Sequence, residues 1–307
     1  MAPRFYAADR TPERAVLGRR LGVRLNDAVP TVRERTVDAA GTAIFVRESG
    51  SGSPVVLLHG FPETSRCWDK VAGALSAGHH VLAPDLPGYG RSARPTSYDS
   101  ATLASTVAAF MDAAGVPRAG VVGHDWGGGV AFRLALDHPD KVERLAVINS
   151  PFRKLDLRRG WHMLFFNAPL LPEALTTAAG DRWIDLVLRA ASVNKDAFEP
   201  EALAEYHDAY RSLERKRSAF AYYRTVTRRI IASKLPGRAR PAGPRGSIEM
   251  PTLVIWGEKD PALPLTLAEG IVRDIPQAKL VTIPDAGHFV PEERPERVAA
   301  LLKEFLG

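Results

Sequence analysis

The stretch VVGHDWGGG, residues 121–129, passes from an apolar, β-branched run into a cluster of glycines within a few residues. The pattern predicts a buried strand, a sharp turn and a helix folded back against that strand. Gly123-His124-Asp125-Trp126-Gly127 fits the form G-x-nucleophile-x-G, in which a strained strand-to-helix turn lifts its central side chain clear of the backbone. Strand and helix must approach closely in such a turn, which accounts for Gly123, Gly127 and Gly128. The central residue is Asp125, a carboxylate.

The same kind of strand recurs outward from this point. PVVLLHG, HHVLAPD, AGVVGHD, VERLAVINS, PTLVIWG and KLVTIPD each hold a short apolar run suited to strands covered on both faces of a parallel sheet. SRCWDKVAGALSA, TLASTVAAFMDAAG and PERVAALLKEFL carry apolar residues at helical spacing. Ahead of them, RERTVDAAGTAIFVRES reads as two strands around a tight turn at Ala40-Gly41. A hairpin followed by alternating strand and helix implies an α/β fold, mostly parallel, with helices on both faces of the sheet. The alternation stops between Pro151 and Met250, where helix-like segments such as DRWIDLVLRAAS and PEALAEYHDAYRSL are followed by a Pro/Gly/Arg-rich connection. The expected organisation is an N-terminal arm over 1–32, an α/β core over 33–150 and 251–307, and a helical cap over 151–250.

The 307 residues allow one large core, with or without an insertion. The net charge of +6 comes from 41 basic residues spread among 35 acidic ones, with no nucleic-acid motif, so arginine reads as solvated surface and nucleic acid is not expected as a partner. The single cysteine, Cys67, excludes an internal disulfide framework and a cysteine-rich metal site. No run of 18 apolar residues suggests a membrane span, and the N-terminus lacks a secretory pattern, so a cytoplasmic location is expected. No metal or other cofactor is expected. The sequence leaves a homodimer open.

Three further polar positions fall just beyond strands. His59-Gly60-Phe61-Pro62 ends the first parallel strand, Asp260 follows VIWGEKD, and His288 follows VTIPDAGH. With Asp125 these occupy the carboxyl ends of strands, where open α/β sheets bind ligands. The order nucleophile, acid, histidine and the motifs HGFP, DLPGYGRS, GHDWGG, GEKD and DAGH resemble the α/β-hydrolase superfamily over roughly residues 33–307. They are most similar to its aspartate-nucleophile branch of epoxide hydrolases, haloalkane dehalogenases and fluoroacetate dehalogenases.

The resemblance implies a two-step reaction, and chemistry explains the aspartate. A serine attacking an sp³ carbon would leave an ether, whereas a carboxylate leaves an ester that water can cleave. Asp125 is then the nucleophile, His288 the base that activates water, and Asp260 the acid that orients His288; Glu258 is the rival of Asp260. The backbone amides of Phe61 and Trp126 form the oxyanion hole. His59 is expected to hold its loop by hydrogen bonds, His124 to serve packing or support, and Asp85 to bond at a strand end.

The cap decides the substrate. AFAYYRTVTRR resembles the segment that carries one of the two tyrosines with which epoxide hydrolases hold the departing oxygen, so Tyr223 is the expected donor and Tyr222 its alternative. His162 stands where the other tyrosine would be, and Trp161 and Trp183 are candidate cap donors to a halide. Fluoroacetate dehalogenases carry two arginines around the nucleophile; Trp126 and Gly129 occupy those positions here. The expected small-molecule substrate is an epoxide, opened to a vicinal diol, with an alkyl halide as the alternative. A non-catalytic ligand-binding protein on the same fold is the reading from another class.

Overall fold

A computed structural model describes residues 31–153, 161–234 and 246–307. Most of the expected N-terminal arm and most of the Pro/Gly/Arg-rich connection lie outside the described residues. Eight strands form one sheet in the order β1-β2-β4-β3-β5-β6-β7-β8. These are β1 (Arg33–Ala39), β2 (Thr42–Ser49), β3 (Ser53–Leu58), β4 (His79–Pro84), β5 (Ala119–His124), β6 (Val142–Ile148), β7 (Thr252–Gly257) and β8 (Ala278–Ile283). The first two pairings outward from β1 are antiparallel, those of a hairpin that feeds a parallel sheet. β1 and β2 pair antiparallel, β2 joins β4 antiparallel, and every later neighbour is parallel. The two-residue turn between β1 and β2 has positive φ at both Ala40 (50°) and Gly41 (88°), a twist that matches the strands it joins.

The apolar runs explain which strands are central. β5 and β7 are buried along their whole length, and Val55–Leu58 of β3 are likewise buried. The expectation of burial on both faces fails for β8, whose Leu280, Val281 and Thr282 are only partly covered. β8 is the edge strand of this sheet, with a neighbour on one side only. SRCWDKVAGALSA also differs from a single helix: a 3₁₀ turn, Ser65–Trp68, precedes an α-helix over Asp69–Leu75. The remaining expected core helices form over Ser100–Ala113 and Pro295–Leu306.

The insertion is helical throughout its described part: Trp161–Asn167, Leu171–Ala179, Arg182–Ala191, Pro200–Ala209 and Leu213–Lys234. The last of these is tied to the first two by Arg224, which donates to both oxygens of Glu173 at 2.8 and 2.9 Å and to the Phe166 carbonyl at 3.0 Å. A bidentate guanidinium–carboxylate pair fixes orientation as well as distance, and it locks the neighbouring Tyr223 in place on its helix. No helix among the described residues is long and apolar enough to cross a membrane.

Candidate active site

Asp125 sits between β5 and the helix Trp126–Asp137 with φ 47° and ψ −117°, a conformation that L-residues rarely adopt. Strain of this kind costs about 1–3 kcal/mol and persists only where the surroundings over-determine it. The surroundings here are glycines. A Cβ on Gly123 would meet the Gly127 carbonyl oxygen at 2.4 Å, and one on Gly127 would meet the Leu58 carbonyl oxygen at 2.2 Å. The turn therefore exists because nothing larger fits beneath it.

Neighbouring strands deliver the partners. From the end of β3, the Phe61 amide donates to Asp125 Oδ2 at 3.0 Å. Trp126 opens its helix, so its N–H is among those for which the helix supplies no acceptor. From beyond β8, His288 Nε2 lies 4.0 Å from Asp125 Oδ1, and its Nδ1–H donates to Asp260 Oδ2 at 2.7 Å. The structure thus brings Asp125, His288, Asp260 and the Phe61 and Trp126 amides together. It is Asp260 that meets His288, while Glu258 is exposed.

The electrostatics follow from these contacts. Burial opposes the charge on Asp260, but His288 and the donors from Leu263 and Asn149 outweigh it and hold the carboxyl below its ordinary range. Burial likewise disfavours a charged His288, yet Asp260 and Asp125 push it up to about 9. The resting site can therefore hold an imidazolium between two carboxylates.

Several supporting residues escaped the sequence reading. Asn149, at the end of β6 with φ 39°, donates to Asp260 Oδ2 at 2.7 Å and accepts from the Gly257 amide at 2.9 Å. Glu63, fully buried, meets His124 Nδ1 at 2.9 Å, while His124 Nε2–H donates to the His288 carbonyl at 2.9 Å. His124 is therefore a direct support of the loop that carries His288. Ser150 Oγ donates to the Asp125 carbonyl at 2.7 Å. His59 holds the β3 loop as expected, with Nδ1–H donating to Gly60 and Nε2 accepting from the Leu86 amide at 2.9 Å. Asp85 accepts from the Ser65 and Arg91 amides, both at 2.8 Å, a strand-end role.

The cap closes over Asp125 with aromatic rings. Tyr223 packs edge-on against Trp126 at 4.9 Å and Phe61 at 5.4 Å between centroids. Burial and then Asp125 drive its phenol well above the ordinary range, so it remains an O–H donor. His162 lies edge-on to Tyr223 at 6.0 Å. Its pKa is lowered by burial, against the pull of Asp125, which favours the neutral ring. The Trp126 indole N–H lies near the Tyr223 phenol without completing a hydrogen bond to it. Trp183 stacks on Phe61 at 6.0 Å. Tyr222 corrects an expectation: its hydroxyl donates to the Pro87 carbonyl at 2.8 Å, which leaves its ring as a wall against Trp126 and removes it as a free donor. Trp161 begins the first cap helix, and its side chain lies outside the described residues.

Residues 53–295 match the alpha/beta hydrolase fold family. Epoxide hydrolase A of Mycobacterium tuberculosis is 32% identical over 89% of this chain and 97% of its own length. A fluoroacetate dehalogenase of Burkholderia sp is also 32% identical, over 89% of this chain and 93% of its own. Among solved structures, Cfl2 from Burkholderia cenocepacia superposes with a TM-score of 0.78 at 28% identity, covering 90% of this chain and 96% of that one. The chain belongs to the alpha/beta hydrolase fold family, in the branch that holds epoxide hydrolases and dehalogenases.

Proposed function

We propose that the protein opens an epoxide to a vicinal diol through an ester on Asp125. The observation that carries this reading is the placement of Tyr223, a buried phenol kept protonated, beside the two residues whose amides flank the nucleophile. Ring opening puts a negative charge on oxygen, which needs a proton, and a phenol supplies one. Asp125 attacks the ring carbon from the opposite side, with its carboxylate aligned by the Phe61 amide. Water, deprotonated by His288, then adds to the ester carbonyl. The Phe61 and Trp126 amides carry the oxyanion, as preorganised donors at a site of developing charge do.

A single turnover in ¹⁸O-water tests the nucleophile. The diol should contain no heavy oxygen in the first cycle, and the label should appear in Asp125. Heavy oxygen in the first diol would mean direct attack by water and would remove Asp125 as nucleophile.

A second reading, release of halide from a haloalkane, is supported by the unpaired Trp126 indole N–H and by Trp183 against Phe61. Fluoroacetate is less well served, because Trp126 and Gly129 stand where paired arginines would meet its carboxylate, and a buried unpaired carboxylate is costly. Parallel assay of diol from styrene oxide and halide from 1-bromobutane separates the two; halide alone overturns the epoxide reading.

A further inference from the structure

The cap helix Arg182–Ala191 meets residues of the site at both of its ends. Near its start, Trp183 stacks on Phe61 at 6.0 Å and meets Tyr210 edge-on at 5.2 Å between centroids. At its other end the Ala191 carbonyl accepts from the backbone N–H of His288 at 2.8 Å. Trp183 and Ala191 are separated by about 12 Å along a helix axis. One helix thus joins a wall of the pocket to the backbone of the histidine.

A buried carboxylate fastens the same junction. Glu293 is 3% exposed, and its hydrogen bonds run to backbone amides on both sides of the joint. Its Oε2 accepts from Val193 at 2.7 Å and Asn194 at 3.0 Å, in the segment that leaves the cap helix. Its Oε1 accepts from Gly287 at 3.0 Å, the residue before His288. Carboxylate oxygens accept such bonds more strongly than neutral oxygens do. Close approach is built in as well. A Cβ on Gly287 would meet the Ala191 carbonyl oxygen at 2.3 Å and Ser192 Cα at 3.1 Å, so only glycine lets the two segments touch. The His288 ring, bonded to Asp260 at 2.7 Å and 4.0 Å from Asp125, has little room for error. Misplacement of a reacting group by about 1 Å can cost about a hundredfold in rate.

We propose that Glu293 is a positioning residue for His288: it fastens the loop of the base to the cap helix that walls the pocket, so that the cap sets where the imidazole stands. The assignment rests on the reading of His288 as the base of ester hydrolysis. Alkylation is the work of Asp125, aligned by the Phe61 amide, so loss of Glu293 falls on the second half-reaction.

The test compares the parent with three variants. Glu293→Gln keeps the shape but turns one acceptor into a donor that faces backbone N–H groups. Single-turnover hydrolysis of the ester formed from styrene oxide should slow at least tenfold, with alkylation within threefold of the parent. Val193→Pro removes the N–H of the 2.7 Å bond and carries the test should Glu293→Gln fail to fold. Ser192 ahead of it is extended (φ −103°, ψ 148°), the conformation that a following proline favours. Hydrolysis should slow at least threefold there, again selectively. Met111→Ala, a cavity in the buried face of the helix Ser100–Ala113, controls for stability: the melting temperature falls while the ratio of the two half-reactions stays within twofold.

A second readout needs no substrate. Against the effect of burial, Asp260, then Asp125 and Glu63, hold the His288 pKa up at about 9. A ring loosened from Asp260 gives up part of that support, so its NMR titration, assigned by its absence from His288→Gln, should fall by about 0.5 unit or more in Glu293→Gln and in Val193→Pro, and stay in place in Met111→Ala. Equal slowing of both half-reactions in Glu293→Gln, or an unmoved titration, overturns the positioning role. Parent behaviour in Val193→Pro overturns the tie to the cap. If the parent forms no ester with styrene oxide while the titration falls as stated, the epoxide reading fails and the positioning of His288 stands.

Discussion

Replacing Asn149 by alanine tests the support of the proposed acid, Asp260. Asn149 is fully buried and bridges two strand ends, donating to Asp260 Oδ2 at 2.7 Å and accepting from the Gly257 amide at 2.9 Å. Loss of a hydrogen bond to a charged group costs about 1.5–3 kcal/mol, and leaving the buried Gly257 N–H unpaired costs about 1–3 kcal/mol. Alanine at φ 39° adds about 1 kcal/mol, since asparagine tolerates the left-handed region better. The sum is ~5 kcal/mol, which for a chain of this size corresponds to a melting temperature lower by roughly 10 °C. The functional effect is selective. Asp260 Oδ2 is also the oxygen that accepts from His288, so the variant loosens the acid–histidine pair while leaving Asp125 and the Phe61 amide untouched. Urea unfolding should show the destabilisation, and rapid-quench kinetics should show ester hydrolysis slowed at least tenfold with alkylation within threefold of the parent. Stability within 1 kcal/mol of the parent, together with unchanged hydrolysis, would refute the reasoning.

Other perturbations follow from the same contacts. His288→Gln should still form the ester but fail to cleave it, so the intact protein gains the mass of one epoxide; normal turnover would remove His288 as base. In the parent, hydrolysis should rise with pH through a pKa below the value of about 9 that His288 has in the free protein, because esterification removes the Asp125 charge that helps to hold it there. A limb at or above that value in single-turnover hydrolysis would contradict this. Glu292, buried with Oε1 accepting from the Tyr206 hydroxyl at 2.6 Å, is pushed up to about 8 chiefly by burial. Between pH 4.5 and 8 the native carboxyl retains a proton that the unfolded chain has released, so its contribution to stability falls as pH rises. Glu292→Gln carries no such loss, and its stability relative to the parent should improve by ~4 kcal/mol from pH 4.5 to 8 in urea titrations; a constant difference would place the titration elsewhere.

What the sequence made legible was local. The elbow around Asp125 announces itself because its glycines are adjacent in the chain, and the strand ends before Asp260 and His288 are marked by apolar runs that stop abruptly. The helical insertion was visible as a break in alternation. Asn149 and Glu63 carried no comparable mark, because their meaning lies in partners far along the chain. Asn149 meets Asp260 across 111 residues and Glu63 meets His124 across 61. The asparagine that ends the apolar run LAVI was the only signal for Asn149, and it is one that any strand end can show. Tyr222 and Tyr223 are adjacent and almost equally buried, so only their placement on the cap helix separates a phenol over Asp125 from one anchored at Pro87. The partial exposure of β8 depends on sheet order, which an apolar run does not encode.

Phe61 contributes its amide to Asp125 through the backbone and its ring to the cap, where it touches Phe166, Trp183, Tyr210, Phe220 and Tyr223. The charge-stabilising part of this residue survives almost any substitution, while the space-filling part does not. Site volume and the amide hydrogen bond to Asp125 can therefore vary independently at this one position. A shorter side chain here admits bulkier substrates beneath the cap without withdrawing a donor from the carboxylate, so changes of substrate range have a route through Phe61 that leaves the chemistry in place.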